Sequence, residues 1–266
     1  SRFPEKNLVM VLSLLVGVLC GLAAVLLKFL IEGIHHGLTF WFGESDLWNY
    51  LFLIYPGLGM LVAMLFVKYV VRDNIGHGVT KVLLAVSKNE SKIRSHNMWT
   101  SLLASSVTIG TGGSVGAEAP IVYTGAAIGS NLARYAGLSY KNVTILLGCG
   151  AAGAVAGIFK APLAGVLFTL EILLFNISMS SILPLLLSTV SATVVSYIFL
   201  GNGAAFKCDL MPFTMHNIPF YIILGLFCAA CSIYFTRTTL WLEDKIKSIK
   251  SPYLRWGVSA LGLGLL

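Results

Sequence analysis

The chain has 266 residues, of which 57% are hydrophobic and 11% charged, with a formal net charge of +7. Its mean hydropathy is +0.85. A water-soluble domain needs far more polar surface, so a soluble enzyme or binding domain is excluded and an all-α polytopic membrane protein is expected.

Apolar stretches of spanning length cover 8–27, 51–71, 182–200 and 218–235. The first is too long for a signal peptide and lacks a small-residue cleavage site, so no such leader is evident. Segment 7–38 is expected to cross the bilayer with a marked tilt, and 48–71 to cross it once. Shorter helical pieces follow at 79–88, 96–110, 118–135, 142–158 and 162–174. Several are too short to span alone. Short apolar helices broken by Gly and Pro point to a site built from half-helices at membrane depth. Non-helical backbone is tolerated there where it is buried in protein or lines a cavity.

The basic residues gather at the edges of these segments. Arg72, Lys81, Lys88, Lys92 and Arg94 surround one connection; Lys245, Lys247, Lys250 and Arg255 surround another. The positive-inside tendency assigns both connections to the cytoplasmic side, and nothing in the pattern suggests nucleic acid. Gly125 with Gly129, and Gly153 with Gly157, are small-xxx-small pairs that predict close helix packing. Cys20, Cys149, Cys208, Cys228 and Cys231 lack metal-ligand or disulfide spacing and read as small packing residues. No metal or other cofactor is expected.

A weak internal repeat is visible. Residues 15–20 (LVGVLC) recur as 223–228 (ILGLFC), and Gly57-Leu58-Gly59 recurs as Gly262-Leu263-Gly264. Chance similarity between apolar helices competes with this reading. A true repeat divides the chain into 1–214, a first half of the membrane domain, and 215–266, the start of a second half. The sequence then appears truncated.

Glu118 is the most informative residue. No Asp, Glu, Lys or Arg occurs between residues 100 and 117, and the acid stands where a glycine-rich run (Gly110, Gly112, Gly113, Gly116) gives way to an apolar helix. A lone acid in membrane-grade sequence faces a cavity or an ion path rather than lipid. A helix N-terminus offers free N–H groups and a partial positive charge, which suit an anion. The carboxylate competes with a permeating anion for those donors and can therefore act as a gate.

Three segments, in order and spacing, carry a family resemblance: Gly76-His77-Gly78-Val79-Thr80; Gly116-Ala117-Glu118-Ala119-Pro120; and Gly150-Ala151-Ala152-Gly153 followed by Phe159-Lys160-Ala161-Pro162-Leu163-Ala164-Gly165-Val166-Leu167-Phe168. They resemble, respectively, the G-S-G-I-P, G-[KR]-E-G-P and G-A-A … F-x-A-P-[LI]-[AG]-G-x-[LF]-F motifs of the CLC family of chloride channels and proton-coupled chloride transporters, in its bacterial-type form. The resemblance runs from about residue 8 to the end of the chain.

It implies an inverted-repeat bundle of tilted and half-spanning helices, with Glu118 as the gate. It also implies an anion held by His77, Gly78 and Val79 from one helix start and by Gly116, Ala117 and Ala119 from the other. The implied partners are chloride or another small anion, the lipid bilayer and a second copy of the chain. The implied location is the bacterial inner (cell) membrane, with multiple passes. The run 172–200, with its small-residue patches at 178–181 and 188–192, would supply part of the dimer face; lipid exposure is the alternative.

The departures from the family pattern bear on mechanism. Ala117 stands for the basic residue, so Glu118 lacks a neighbouring cation that favours its charged form. His77 stands for Ser, exchanging one hydroxyl donor for a larger ring with one donor, or two when charged. This leaves nitrate or fluoride open as substrates, and a plain packing role for His77 as well. In proton-coupled members a second glutamate lies at the position of Ile172, which carries no proton. Glu171 precedes it by one residue, a rotation of roughly 100°, and reads as a structural polar contact. Ile172 thus favours passive conduction, with exchange of altered coupling as the alternative. An intramembrane enzyme using Glu118 as general base would need His77 or Glu171 beside it. A cation transporter would more naturally carry several intramembrane acids.

Overall fold

The sequence of residues 140–159 is apolar on every side, and such a helix is stable only when surrounded. The computed structural model describes residues 5–42, 54–73, 78–173, 181–201, 203, 214–249 and 251–265, which fall into two units, 1–205 and 206–266. Tyr140–Phe159 forms the central helix of the first unit, with residues from Leu146 to Gly157 buried. Among the described residues all regular structure is helical.

α1 (Glu5–Phe42) has 38 residues. At 1.5 Å per residue it is about 57 Å long, roughly twice a hydrocarbon core of about 30 Å, which is long enough to cross with a tilt or to project beyond the core. α2 (Tyr55–Leu65) carries Pro56 in its first turn, where the missing N–H is harmless. It passes into a π-helical stretch, Phe66–Val71, that ends at Arg72 in the left-handed region. Of the single span expected over 48–71, residues 55–71 are helical and 48–53 lie outside the described residues. The described helix, Tyr55–Val71, belongs with the shorter apolar helices.

α3 is Gly78–Lys88. The helix expected over 96–110 is interrupted: a 3-10 turn, Ser95–Met98, is followed by Trp99 at φ −135° and then α4, Thr100–Gly110. α5 (Glu118–Tyr135) ends in a Schellman motif, with Leu138 N–H donating to Ala133 O at 3.1 Å and Gly137 N–H to Arg134 O at 3.0 Å. Gly137 sits at φ 67°, which glycine adopts without strain. α6 (Tyr140–Phe159), α7 (Pro162–Leu173) and α8 (Ile182–Leu200) complete the first unit.

α6 packs on α5, α8, α1 and α7. The α5–α6 contact is between backbones. A Cβ at Gly125 or at Gly150 would overlap the other's carbonyl, and one at Gly129 would overlap the carbonyl of Leu146. Gly153 and Gly157 face Cys20 and Ala24 of α1. Both small-xxx-small pairs therefore serve packing, and dispersion over these close contacts replaces the hydrophobic drive that lipid removes. Cys20 and Cys149 are fully buried, whereas Cys228 and Cys231 are exposed; Cys208 lies outside the described residues.

The small-residue patch on α8 faces inward. Ser188, Thr189, Ala192, Thr193 and Ser196 are buried. Ser188 Oγ donates to Cys149 O at 2.7 Å, and Gly17 and Gly21 of α1 press on the same stripe. The small residues Ser188, Thr189 and Ala192 thus serve packing within the chain rather than a dimer face, because they admit α1 and α6; residues 178–180 of the other small-residue patch lie outside the described residues. The opposite face presents Leu183, Val190, Val194 and Ile198, all exposed.

Lys160 ties the turn between α6 and α7 to the end of α8. It adopts φ 56° at the C-cap of α6 and is only 9% exposed. Its ammonium donates to Leu200 O at 3.3 Å, Gly201 O at 2.7 Å and Gly203 O at 2.8 Å, and lies 5.3 Å from the Tyr197 ring centroid. A cation at the negative end of a helix satisfies carbonyls that have no intrahelical partner.

In the second unit a 3-10 turn, Met215–Asn217, leads into α9, Ile218–Lys247, and then α10, Pro252–Leu265. The guanidinium of Arg255 donates to Lys247 O at 3.2 Å and Ile249 O at 2.9 Å, closing the turn between the two helices.

Candidate anion site

α5 starts without a side-chain cap at Ala117. The first backbone bond of the helix is Ile121 N–H to Ala117 O at 3.2 Å, and Pro120 has no N–H to offer. The N–H groups of Ala117, Glu118 and Ala119 are therefore the ones a helix start leaves for a ligand. Pro120 is acceptable there because its fixed φ suits a first turn.

Glu118 is exposed, and its carboxylate folds back over Gly116. A Cβ at Gly116 would collide with that carboxylate, so the glycine provides room for the acid rather than an unusual φ. The acid thus rests beside the helix start on which an anion would sit.

The start of α3 comes to the same place. A Cβ at Gly78 would overlap the carbonyl of Ala119 and lie 3.2 Å from Cβ of Tyr123. Val79, the next residue, packs with Val82 and Tyr123 in a buried cluster. The structure therefore brings Gly78 and Val79 to the first turn that carries Ala117, Glu118 and Ala119. His77 lies outside the described residues.

Glu171 does not join this group. It is exposed on α7, and among the described residues it makes no hydrogen bond or ion pair. The structural contact expected for it is not found there. Ile172 follows it in the same helix. Two hydroxyls that sequence reasoning passed over, those of Thr124 on α5 and Thr169 on α7, are buried without a hydrogen-bond partner among the described residues. Nothing in the sequence separates them from ordinary helix-packing threonines.

A profile of the voltage gated chloride channel family matches residues 58–266. "Chloride channel protein CLC-e" of Arabidopsis thaliana is 29% identical over 266 residues, covering 92% of this chain and 37% of its own length. The "H(+)/Cl(-) exchange transporter ClcA" of Vibrio cholerae is 28% identical over 231 residues, covering 82% of this chain and 47% of its own. Of the solved structures, a CLC-type fluoride/proton antiporter superposes with a TM-score of 0.82 at 26% identity over all of this chain and 66% of its own. A slow cyanobacterial chloride/proton antiporter superposes with a TM-score of 0.84 at 19% identity, over 99% of this chain and 64% of its own, which shows the fold. The chain spans 37% and 57% of the lengths of the first two curated relatives it matches.

Proposed function

This chain belongs to the voltage gated chloride channel family, and from that premise we propose that it forms part of a membrane pathway for a small anion, with Glu118 as the gate. The observation that carries the reading is the meeting of two helix starts: Gly78 of α3 against Ala119 of α5, with the Glu118 carboxylate beside them. A partly dehydrated anion would be held by backbone N–H groups of Gly78 and Val79 on one side and of Gly116, Ala117 and Ala119 on the other, with His77 completing the site. Ionised Glu118 takes the donors for itself; protonated or displaced, it clears them. Family membership sets aside the enzyme and cation-transporter alternatives.

Chloride is the ion we assign, and passive gated conduction the mode, because Ile172 offers no proton relay. Two observations favour a second reading. Relatives of this chain include a chloride/proton exchange transporter and a fluoride/proton antiporter. Exchange, or transport of fluoride or nitrate, would then rest on Glu118 and a relay through Glu171 or ordered water. We further propose a homodimer in the bacterial inner membrane, with Leu183, Val190, Val194 and Ile198 of α8 on the contact face.

Reconstituting the full-length protein in liposomes with a chloride gradient, and recording anion and proton flux together, tests these readings. Chloride flux without fixed proton movement is expected. Uphill proton movement in a constant ratio to chloride would replace conduction with exchange, and no anion flux at all would remove the gate reading.

A further inference from the structure

A cavity of about 240 Å³ that Glu118 does not line lies between α3, the connection that follows it and α5. Its lining includes Lys81, Lys92, Arg94, Asp73, Asn97 and Tyr123. Three basic side chains against one carboxylate leave it cationic. Asp73 is already engaged, by Arg94 Nη1 at 3.3 Å and His96 Nε2 at 3.4 Å. Lys81 has no carboxylate within ion-pair distance among the described residues; its ammonium stands 5.8 Å from the Tyr123 ring centroid. Lys92 pairs with Glu90 at 2.5 Å, but both side chains are more than half exposed, so this pair is weak and readily exchanged.

The rim is held rigidly. Glu90 and Ser91 adopt φ of 49° and 57° in succession. Non-glycine residues pay about 1–3 kcal/mol each for strained backbone, and such strain persists where the surroundings enforce it. The Ser130 hydroxyl donates to Ser91 O at 2.6 Å and accepts from Ile93 N–H at 3.3 Å. Asn131 donates its amide to Ile93 O at 3.1 Å, and the Ser91 and Thr144 hydroxyls share a bond of 2.7 Å. Lys92 and Arg94 therefore project from a strap anchored on α5, opposite Lys81 on α3.

We propose that this cavity binds a phosphate group, carried by a free small anion or by a lipid headgroup. A tetrahedral dianion presents several acceptor oxygens and can meet Lys81, Lys92 and Arg94 together, in charge-assisted bonds that are shorter and stronger than neutral ones. The connection is the one that the distribution of basic residues assigns to the cytoplasmic side, where phosphate esters and anionic headgroups are found. Tyr123 walls both this cavity and the start of α3 at Gly78. An occupant would therefore clamp α3 to α5 and alter flux through the anion site; that consequence, unlike binding itself, rests on the conduction reading.

The experiment uses the full-length protein in phosphatidylcholine nanodiscs, titrated calorimetrically with inorganic phosphate at fixed ionic strength and fixed chloride. Saturable binding is expected, weakened about tenfold by Lys81→Gln or by Lys92→Gln, the size of one charge-assisted bond. Lys141→Gln, an exposed lysine on α6, should leave it unchanged. Lys92 is 56% exposed, so its substitution keeps the test alive if Lys81→Gln fails to fold. A second arm dopes the nanodiscs with phosphatidylinositol 4-phosphate and follows thermal unfolding. Stabilisation by the lipid that depends on Lys81 or Lys92, without binding of free phosphate, assigns the headgroup as the source and supports the proposal. Absence of binding in both arms, or binding indifferent to both substitutions, overturns it. Binding in a protein that passes no anion would uphold the cavity while removing the conduction reading.

Discussion

Gly78 stands so close to the backbone carbonyl of Ala119 that a Cβ on it would overlap that oxygen. This contact registers the start of α3 against the first turn of α5, and backbone cannot retreat as a side-chain tip can. Gly78→Ala is therefore expected to lower stability by about 1–3 kcal/mol, the usual cost of overpacking. Thermal unfolding in detergent reads it directly. An unchanged melting temperature would mean that α3 moves freely against α5.

Glu118→Gln removes the charge while keeping the shape. Anion flux should rise, or lose its dependence on pH, because an amide competes poorly for the N–H groups at the helix start. Liposome flux measured across a pH series decides this; identical profiles for parent and variant would leave Glu118 without a gating role.

Gly116→Ala acts on the same carboxylate from outside. The added methyl occupies the place where the acid now rests, and a flexible side chain can swing away at little cost. We expect the melting temperature to stay at the parent's value while the pH dependence of flux shifts. A large loss of stability with flux unchanged would contradict the carboxylate's position.

Lys160→Met strips the end of α8 of its cap. Bonds to Leu200, Gly201 and Gly203 disappear, and the nearly buried Lys160 position loses the ammonium that held the end of α8. The expected loss is on the order of 2 kcal/mol, visible as a lower melting temperature. Lys141→Met, on an exposed lysine, is the control and should have little effect.

Two tryptophans, Val194→Trp with Ile198→Trp, on the outward face of α8 should convert the proposed dimer to a monomer by size-exclusion chromatography with light scattering. Persistence of a dimer would place the interface elsewhere.

Much of this arrangement was legible in the chain. Glu118 and Pro120 mark the start of α5 because an acid and a proline both suit a first helical turn. The Gly125 and Gly129 spacing announced close packing, which the contact with Gly150 fulfils. Partner identity was not legible. Small residues at 188–192 signal close approach but not toward which helix, and they turned out to receive α1 and α6. The acceptors of Lys160 lie 40 to 43 residues ahead in the chain, beyond any local pattern. The break at Trp99 and the π-helical stretch after Leu65 leave no periodicity that distinguishes them from ordinary helix.

The hairpin of α5 and α6 bears on biosynthesis. The two helices follow each other across a four-residue turn, 136–139, and meet through Gly125 and Gly150. Contacts so near in sequence close at little entropic cost and form early. As the chain leaves the ribosome, its N-terminal part folds first. The helix start that presents Glu118 is thus in place while residues beyond α6 are still being translated, and later segments assemble against a surface already set.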